Sequence, residues 1–260
     1  MNLRDVGFLS ILGGAVPSTL TNGLLSYWNF DQASGANEPD LVGTIGDLLQ
    51  LTTGTDVGSG VGPGGVNSSR TFFYDNGTSD TNALAVNTTS GGTFPLSINF
   101  WIKVDPGSDS GGGALPFNYN EVTTWGPPCS VYSYSGTSYW TMNDNNESSV
   151  VYLDGTNSYA DGNWYMWTLI VRADLTFEVW VDGVLQSLPN AGYDNPPLTG
   201  TDVKPFDSIS FGRSIYLGSL NPSDGFAGLI SLAGIWNRTL TSTDITQLYN
   251  DGNGLSYAEL

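Results

Sequence analysis

A chain of 260 residues with 34 Gly, 13 Pro and 12% aromatic side chains has the turn-rich composition of one large β-domain, long enough to bury a core without staples. With 25 acidic side chains against seven basic ones, its formal net charge of −18 excludes partners that require a basic patch, nucleic acid and anionic membrane surfaces above all. It carries no His and one Cys, Cys129, which excludes an intrachain disulfide, a Ser-His-Asp triad and ordinary His-ligated zinc.

Residues 1–22 read as a separate N-terminal arm and 23–260 as the domain. Leu3, Val6, Phe8, Leu9, Ile11 and Leu12 make the arm apolar, and Gly13-Gly14 and Pro17 break it. Arg4 and Asp5 leave it without the positive charge of a signal peptide, and no stretch approaches the roughly 20 apolar residues of a membrane span. So apolar an arm is expected either to pack on its own domain or to dock on a neighbouring subunit. Strands are expected over 23–31, 48–51, 71–74, 83–86 and 94–104, with the Gly-dense 58–65 read as turn. Residues 117–159 hold an aromatic cluster in which Tyr132 and Tyr134 share a parity.

The clearest local signal lies at 163–188. Trp164 to Arg172 is rich in aromatic and β-branched residues, and Ala173 to Thr176 interrupts the run. Phe177, Val179 and Val181 then alternate with Glu178, Trp180 and Asp182, the period of a strand with one buried face. Asp182-Gly183 suits the positive φ angles of a tight hairpin, and Val184-Leu185-Gln186 returns as the next strand. Further strands are expected at Ile209–Gly212 and 226–237. Thr241 or Ser242 then caps a short helix carrying Ile245, Leu248 and Tyr249, which Gly252 or Gly254 ends.

Four pieces in this order resemble the laminin-G-like jelly rolls of the concanavalin A-like lectin/glucanase superfamily. They are the hairpin ending in Val181-Asp182-Gly183, Leu25–Asp31, Leu96–Lys103, and Phe226–Leu240 with its terminal helical turn. The resemblance implies an all-β, two-sheet antiparallel jelly-roll sandwich with an N-terminal extended arm and a short C-terminal helix. It places Trp28, Trp101, Trp167 and Trp236 in the core. It also implies a rim calcium, whose acids after the first strand and in the next loop match Asp31 and Asp40. The closing strand of many relatives carries an Asp-Glu pair where this chain has Ser231 and Leu232. Glycosidases of this fold carry Glu, Asp and Glu at alternate positions of one strand, a spacing missing here, so the chain is expected not to be an enzyme.

Trp125, Tyr132, Tyr134, Tyr139 and Trp140 are the candidate sugar-stacking residues, weighed against the ordinary role of aromatics as sheet and core residues. Trp180, opposite in parity to Val179 and Val181, joins the arm as a candidate for subunit docking. The expected function is a non-enzymatic structural and adhesion protein of a particle surface, a bacteriophage virion decoration or tail component. In that reading the arm contacts other virion proteins and the protein is a homo-oligomer. The alternative is a calcium-dependent, lectin-like glycan-binding module in an extracellular setting, with a glycoside hydrolase third.

Overall fold

The computed structural model describes residues 19–52, 56–73, 82–87, 94–106, 159–174, 176–187, 208–213 and 226–260 (Phe177 by its backbone), together with the backbone of 114–120, 129–134, 137–141, 150–152, 215–216 and 219–220. The strands, in chain order, are β1 Leu24–Trp28, β2 Leu49–Thr52, β3 Gly58–Val61, β4 Ser68–Phe72, β5 Asn82–Asn87 and β6 Leu96–Val104. They continue with β7 Ala114–Asn120, β8 Cys129–Tyr134, β9 Thr137–Thr141, β10 Val150–Tyr152, β11 Trp164–Val171, β12 Phe177–Val181 and β13 Val184–Leu185. The set closes with β14 Ser208–Phe211, β15 Ile215–Tyr216, β16 Ser219–Leu220, β17 Gly228–Trp236 and one helix, α1, Ser242–Tyr249.

Two antiparallel sheets form the sandwich. The larger runs β13-β12-β11-β6-β17-β4-β3, with β1 also paired to β17, and the smaller runs β10-β9-β8-β7-β14-β5-β2. Alternation along β6 and β11 decides which residues enter the space between them. Ile98, Phe100, Ile102, Trp167, Leu169 and Val171 meet Leu84, Val86, Ile209 and Phe211 there. The opposite face of the larger sheet is covered too: Trp101, Met166, Ile170, Leu232 and Trp236 form a second core under Ile245 and Leu248 of α1. Trp101 stacks on Tyr249 at 5.7 Å and 9°. The four core tryptophans therefore divide, Trp28 and Trp167 between the sheets, Trp101 and Trp236 beneath the helix.

The hairpin at 163–188 forms as its sequence implies. Asp182 and Gly183 take φ of 51° and 78°, and the Asp182 carboxylate also accepts the Met166 N–H at 2.8 Å. Thr241 caps α1 in a reciprocal box with Asp244. The helix ends differently from expectation: Asn250, not a glycine, takes the left-handed cap position at φ 46°. Strand β3 is also unexpected, since Gly58-Ser59-Gly60 reads as turn. A Cβ on Gly60 would stand 2.7 Å from Leu229 Cδ2, so glycine is what allows this edge strand to lie against β4.

Candidate functional site

The smaller sheet sorts the aromatic candidates by register. Residues directly opposite in an antiparallel pair share a face, and the next residue along each strand faces the other way. Phe211 pairs with Phe117, Phe117 with Val131, Val131 with Trp140 and Trp140 with Val151, one row across five strands. Phe211 is fully buried in the core between the sheets, and the row shares its face of the smaller sheet. Trp140 lies in that row, on the sheet face of Phe211. The neighbouring row lies on the opposite face of the sheet and aligns Tyr132, Tyr139 and Tyr152 on three adjacent strands, with Tyr134 two residues along on the same face. Tyr152 was missed from sequence because only the pairing of β9 with β10 brings it into line. Trp125 lies outside the described residues.

The two metal candidates part company. Asp40 collects the hydroxyl of Ser26 at 2.7 Å and the N–H groups of Tyr27 at 3.3 Å, Val42 at 3.0 Å, Ile45 at 3.1 Å and Gly46 at 2.9 Å. A carboxylate offers about four lone-pair sites. Asp40 is thereby engaged in folding the loop that follows β1. Asp31 is exposed and accepts the side-chain amides of Gln32 at 2.6 Å and Asn29 at 3.4 Å. Among the described residues no three His, Cys, Asp or Glu side chains stand together as a metal set. Ser231 and Leu232, at the positions of the relatives' acid pair, are buried in packing, Leu232 at φ 48° where β17 bulges against β6.

Trp180 is half-buried against the second core, and its indole N–H donates to Glu178 at 3.1 Å. Glu178 pairs in turn with Arg172 at 2.5 Å. Beside it Val184 and Leu185 stand 62% and 50% exposed on the edge strand β13. The arm residues Leu3, Val6, Phe8, Leu9, Ile11 and Leu12 lie outside the described residues. Residues 19–22 are fastened to the domain, with Leu20 fully buried and its carbonyl accepting the Trp236 indole N–H at 2.6 Å. Arg238 donates to the carbonyls of Thr19 and Asn22 at 3.1 and 2.7 Å.

Two carboxylate–arginine pairs escaped the sequence reading. Glu38 and Arg70 are fully buried and meet at 3.3 Å. Arg70 also donates to the carbonyls of Gly58, Ala36 and Val57, and Glu38 accepts the Asp31 N–H at 3.1 Å. Burial pushes the Glu38 carboxyl up to about 7 against these interactions and pulls the Arg70 guanidinium down. Asp244 instead accepts from Arg238, from the Thr241 N–H and hydroxyl and from the Thr19 hydroxyl. Desolvation works to raise its carboxyl, and those donors outweigh it and hold it well below the usual carboxylate range. Neither pair shows in a one-dimensional pattern, because each depends on how the chain folds back to bring its bonding partners together.

The family profile of the concanavalin A-like lectin/glucanases superfamily matches residues 75–246, well over half of the sequence. The chain belongs to that superfamily. No curated protein sequence matches it. Solved structures agree on the superfamily's fold. The binding domain of botulinum neurotoxin DC in complex with rat synaptotagmin II superposes with a TM-score of 0.62 at 15% identity, over 92% of this chain and 56% of that one. The same toxin's binding domain in complex with SialylT gives 0.60 at 14% identity, over 90% and 52%. The binding domain of Paraclostridial Mosquitocidal Protein 1 gives 0.59 at 17% identity, over 89% and 53%. The chain spans about half the length of these structures.

Proposed function

We propose that this protein is a non-enzymatic glycan-binding module of the superfamily. The observation that carries the reading is the row of Tyr132, Tyr139 and Tyr152, with Tyr134 beside it, on the face of the smaller sheet opposite that of Phe211. Aromatic rings combine a flat apolar face with a polar handle, which suits the apolar face and hydroxyls of a pyranose. Two of the similar solved structures are binding domains described with a bound partner, SialylT in one and rat synaptotagmin II in the other. The described Glu side chains are engaged in structural bonds: Glu38 with Arg70, Glu178 with Arg172 and Glu259 with Ser256. That supports binding over the paired-carboxylate chemistry of a glycosidase. The setting we propose is a particle surface exposed to the medium, a bacteriophage virion being the case in view. The net charge of −18 supports it by keeping such a surface soluble.

A glycan array run with the purified protein, with calcium and again with EDTA, tests the reading. Binding that survives EDTA and falls at least tenfold in Tyr139→Ala is the expected result. Binding lost in EDTA moves the site to a calcium rim that includes Asp31, and an empty array under both conditions sinks the proposal. Mass spectrometry of purified particles tests the setting.

A further inference from the structure

Residues 29–32 lead out of β1 and carry a group of polar side chains beside the C-terminal turn. Phe30 takes a left-handed φ of 59°, where a bulky residue is rarely found. Its ring is fully buried and meets Phe211 edge-on at 5.2 Å. The Asp31 N–H is held by the buried Glu38 at 3.1 Å. Asn29 and Asp31 are thereby set side by side. The Asn29 amide donates to the Asp31 carboxylate at 3.4 Å and the Gln32 amide donates to it at 2.6 Å. The fourth member comes from the other end of the chain. The Tyr257 N–H donates to Asn29 Oδ1 at 3.0 Å, and its ring lies tilted on Tyr27, 6.1 Å between centroids. Asn29 therefore touches both the carboxylate and the tyrosine. Asp31 is exposed and Tyr257 is 37% exposed. The carboxylate offers about four lone-pair sites, and these two amides fill two of them. The second N–H of each amide and the Tyr257 hydroxyl have no partner among the described residues.

We propose that Asn29, Asp31, Gln32 and Tyr257 form a second sugar site, which takes a single neutral pyranose bearing two adjacent hydroxyls. A vicinal diol matches these groups. Each hydroxyl donates to the Asp31 carboxylate and accepts from the Asn29 or Gln32 amide, and the apolar face of the pyranose lies on the Tyr257 ring. The bonds to Asp31 are charge-assisted, so the carboxylate is the anchor. That anchor also sets the ligand class. A uronic or sialic acid would bring its own carboxylate against Asp31 and against a net charge of −18. The backbone is held in place before any ligand arrives, by Glu38 on Asp31 and by Phe30 in the core, which lowers the ordering cost of binding. The site rests on the reading of the protein as a glycan-binding module. It does not rest on the tyrosine row, which belongs to strands β8, β9 and β10 of the other sheet.

The test is saturation-transfer NMR on the full-length chain carrying Tyr139→Ala, so that the row and this site are read apart. The probes are the methyl pyranosides of mannose, glucose and galactose, with methyl glucuronide as the acidic control, all in EDTA. Transfer to at least one neutral pyranoside is expected, and none to the glucuronide. Adding Asp31→Asn or Tyr257→Ala should each reduce the transfer by about fivefold, while Tyr257→Phe, which keeps the ring, retains it. The circular dichroism spectrum should be unchanged in all three. No transfer to any neutral pyranoside overturns the proposal, as does transfer unchanged in both Asp31→Asn and Tyr257→Ala. Transfer that appears only when calcium replaces EDTA overturns it too, since Asp31 would then hold a metal ion. Equal transfer to the glucuronide overturns the neutral class. A glycan array that shows no loss in Tyr139→Ala, with transfer here intact, overturns the tyrosine row and leaves this site standing.

Discussion

The two buried or half-buried carboxylate–arginine pairs hold opposite ends of the fold with the same chemistry and opposite consequences. Glu38 and Arg70 clasp Ala36, Val57 and Gly58 onto β4, both side chains at 0% exposure. Asp244 and Arg238 fasten Thr19, the start of α1 and the end of β17 together near the surface, at 3% and 24% side-chain exposure. One carboxyl is raised to about 7 and the other is held well down. The difference lies in the donors. Asp244 receives both ends of a guanidinium fork at 2.8 and 3.2 Å besides its cap, whereas Glu38 receives one guanidinium N–H at 3.3 Å and the backbone N–H groups of Asp31 and Gln32. Burial alone does not make a carboxylate costly; burial with few and long bonds does.

Removing the arginine of the inner pair is the largest expected perturbation. Arg70→Met leaves Glu38 buried without its partner and removes a donor from the carbonyls of Ala36, Val57 and Gly58, at a cost of about 3–5 kcal/mol in urea unfolding. Arg70→Met with Glu38→Leu should recover most of that loss. A double variant as unstable as the single one would show that the clasp contributes net stability rather than position. Asp244→Ala removes the helix cap and the outer pair together, and about 2–3 kcal/mol is expected. Asp40→Asn, which exchanges one acceptor oxygen for a donor in the β1 loop, should cost about 1–2 kcal/mol. A loss equal to that of Arg70→Met would place the loop, not the clasp, as the main fastening of this region.

The most diagnostic effect is on the pH profile. An unfolded Glu titrates near about 4.3 and an unfolded Asp near about 3.9. Between about 4.3 and 7 folded Glu38 retains a proton that the unfolded chain has released. Its contribution to stability therefore falls as pH rises through that window and is flat above it. Asp244 does the reverse: its contribution is full above about 3.9 and is lost as pH falls toward its depressed folded value. Glu38→Gln should flatten the decline between about pH 4.3 and 7 and leave the acid limb, and Asp244→Asn should do the converse, both read from melting temperature against pH. Identical profiles for the two variants would break the contrast.

The tyrosine face shows how far sequence carried the site. The alternation of Tyr132 and Tyr134 is local and was legible, since residues two apart on a strand share a face. The place of Tyr152 in the row, and of Trp140 in the other, depends on how β8, β9 and β10 register, and no spacing within one strand contains that information. Asp40 carries the same lesson. Its type and place after the first strand match a ligand, and its four N–H partners were invisible until the loop was closed.

By itself the sequence determined the period-two strands, the Asp182-Gly183 turn and the Thr241 cap, because each follows from local backbone preference, while the family resemblance implied the burial of Trp28, Trp101, Trp167 and Trp236. Tertiary structure decided which core each tryptophan joined, that Gly58-Ser59-Gly60 pairs as an edge strand and that Arg70 is buried. Each of these rests on groups distant in sequence: the helix over the larger sheet, Leu229 against Gly60, and the carbonyls of Ala36, Val57 and Gly58 around a guanidinium that has no other solvent.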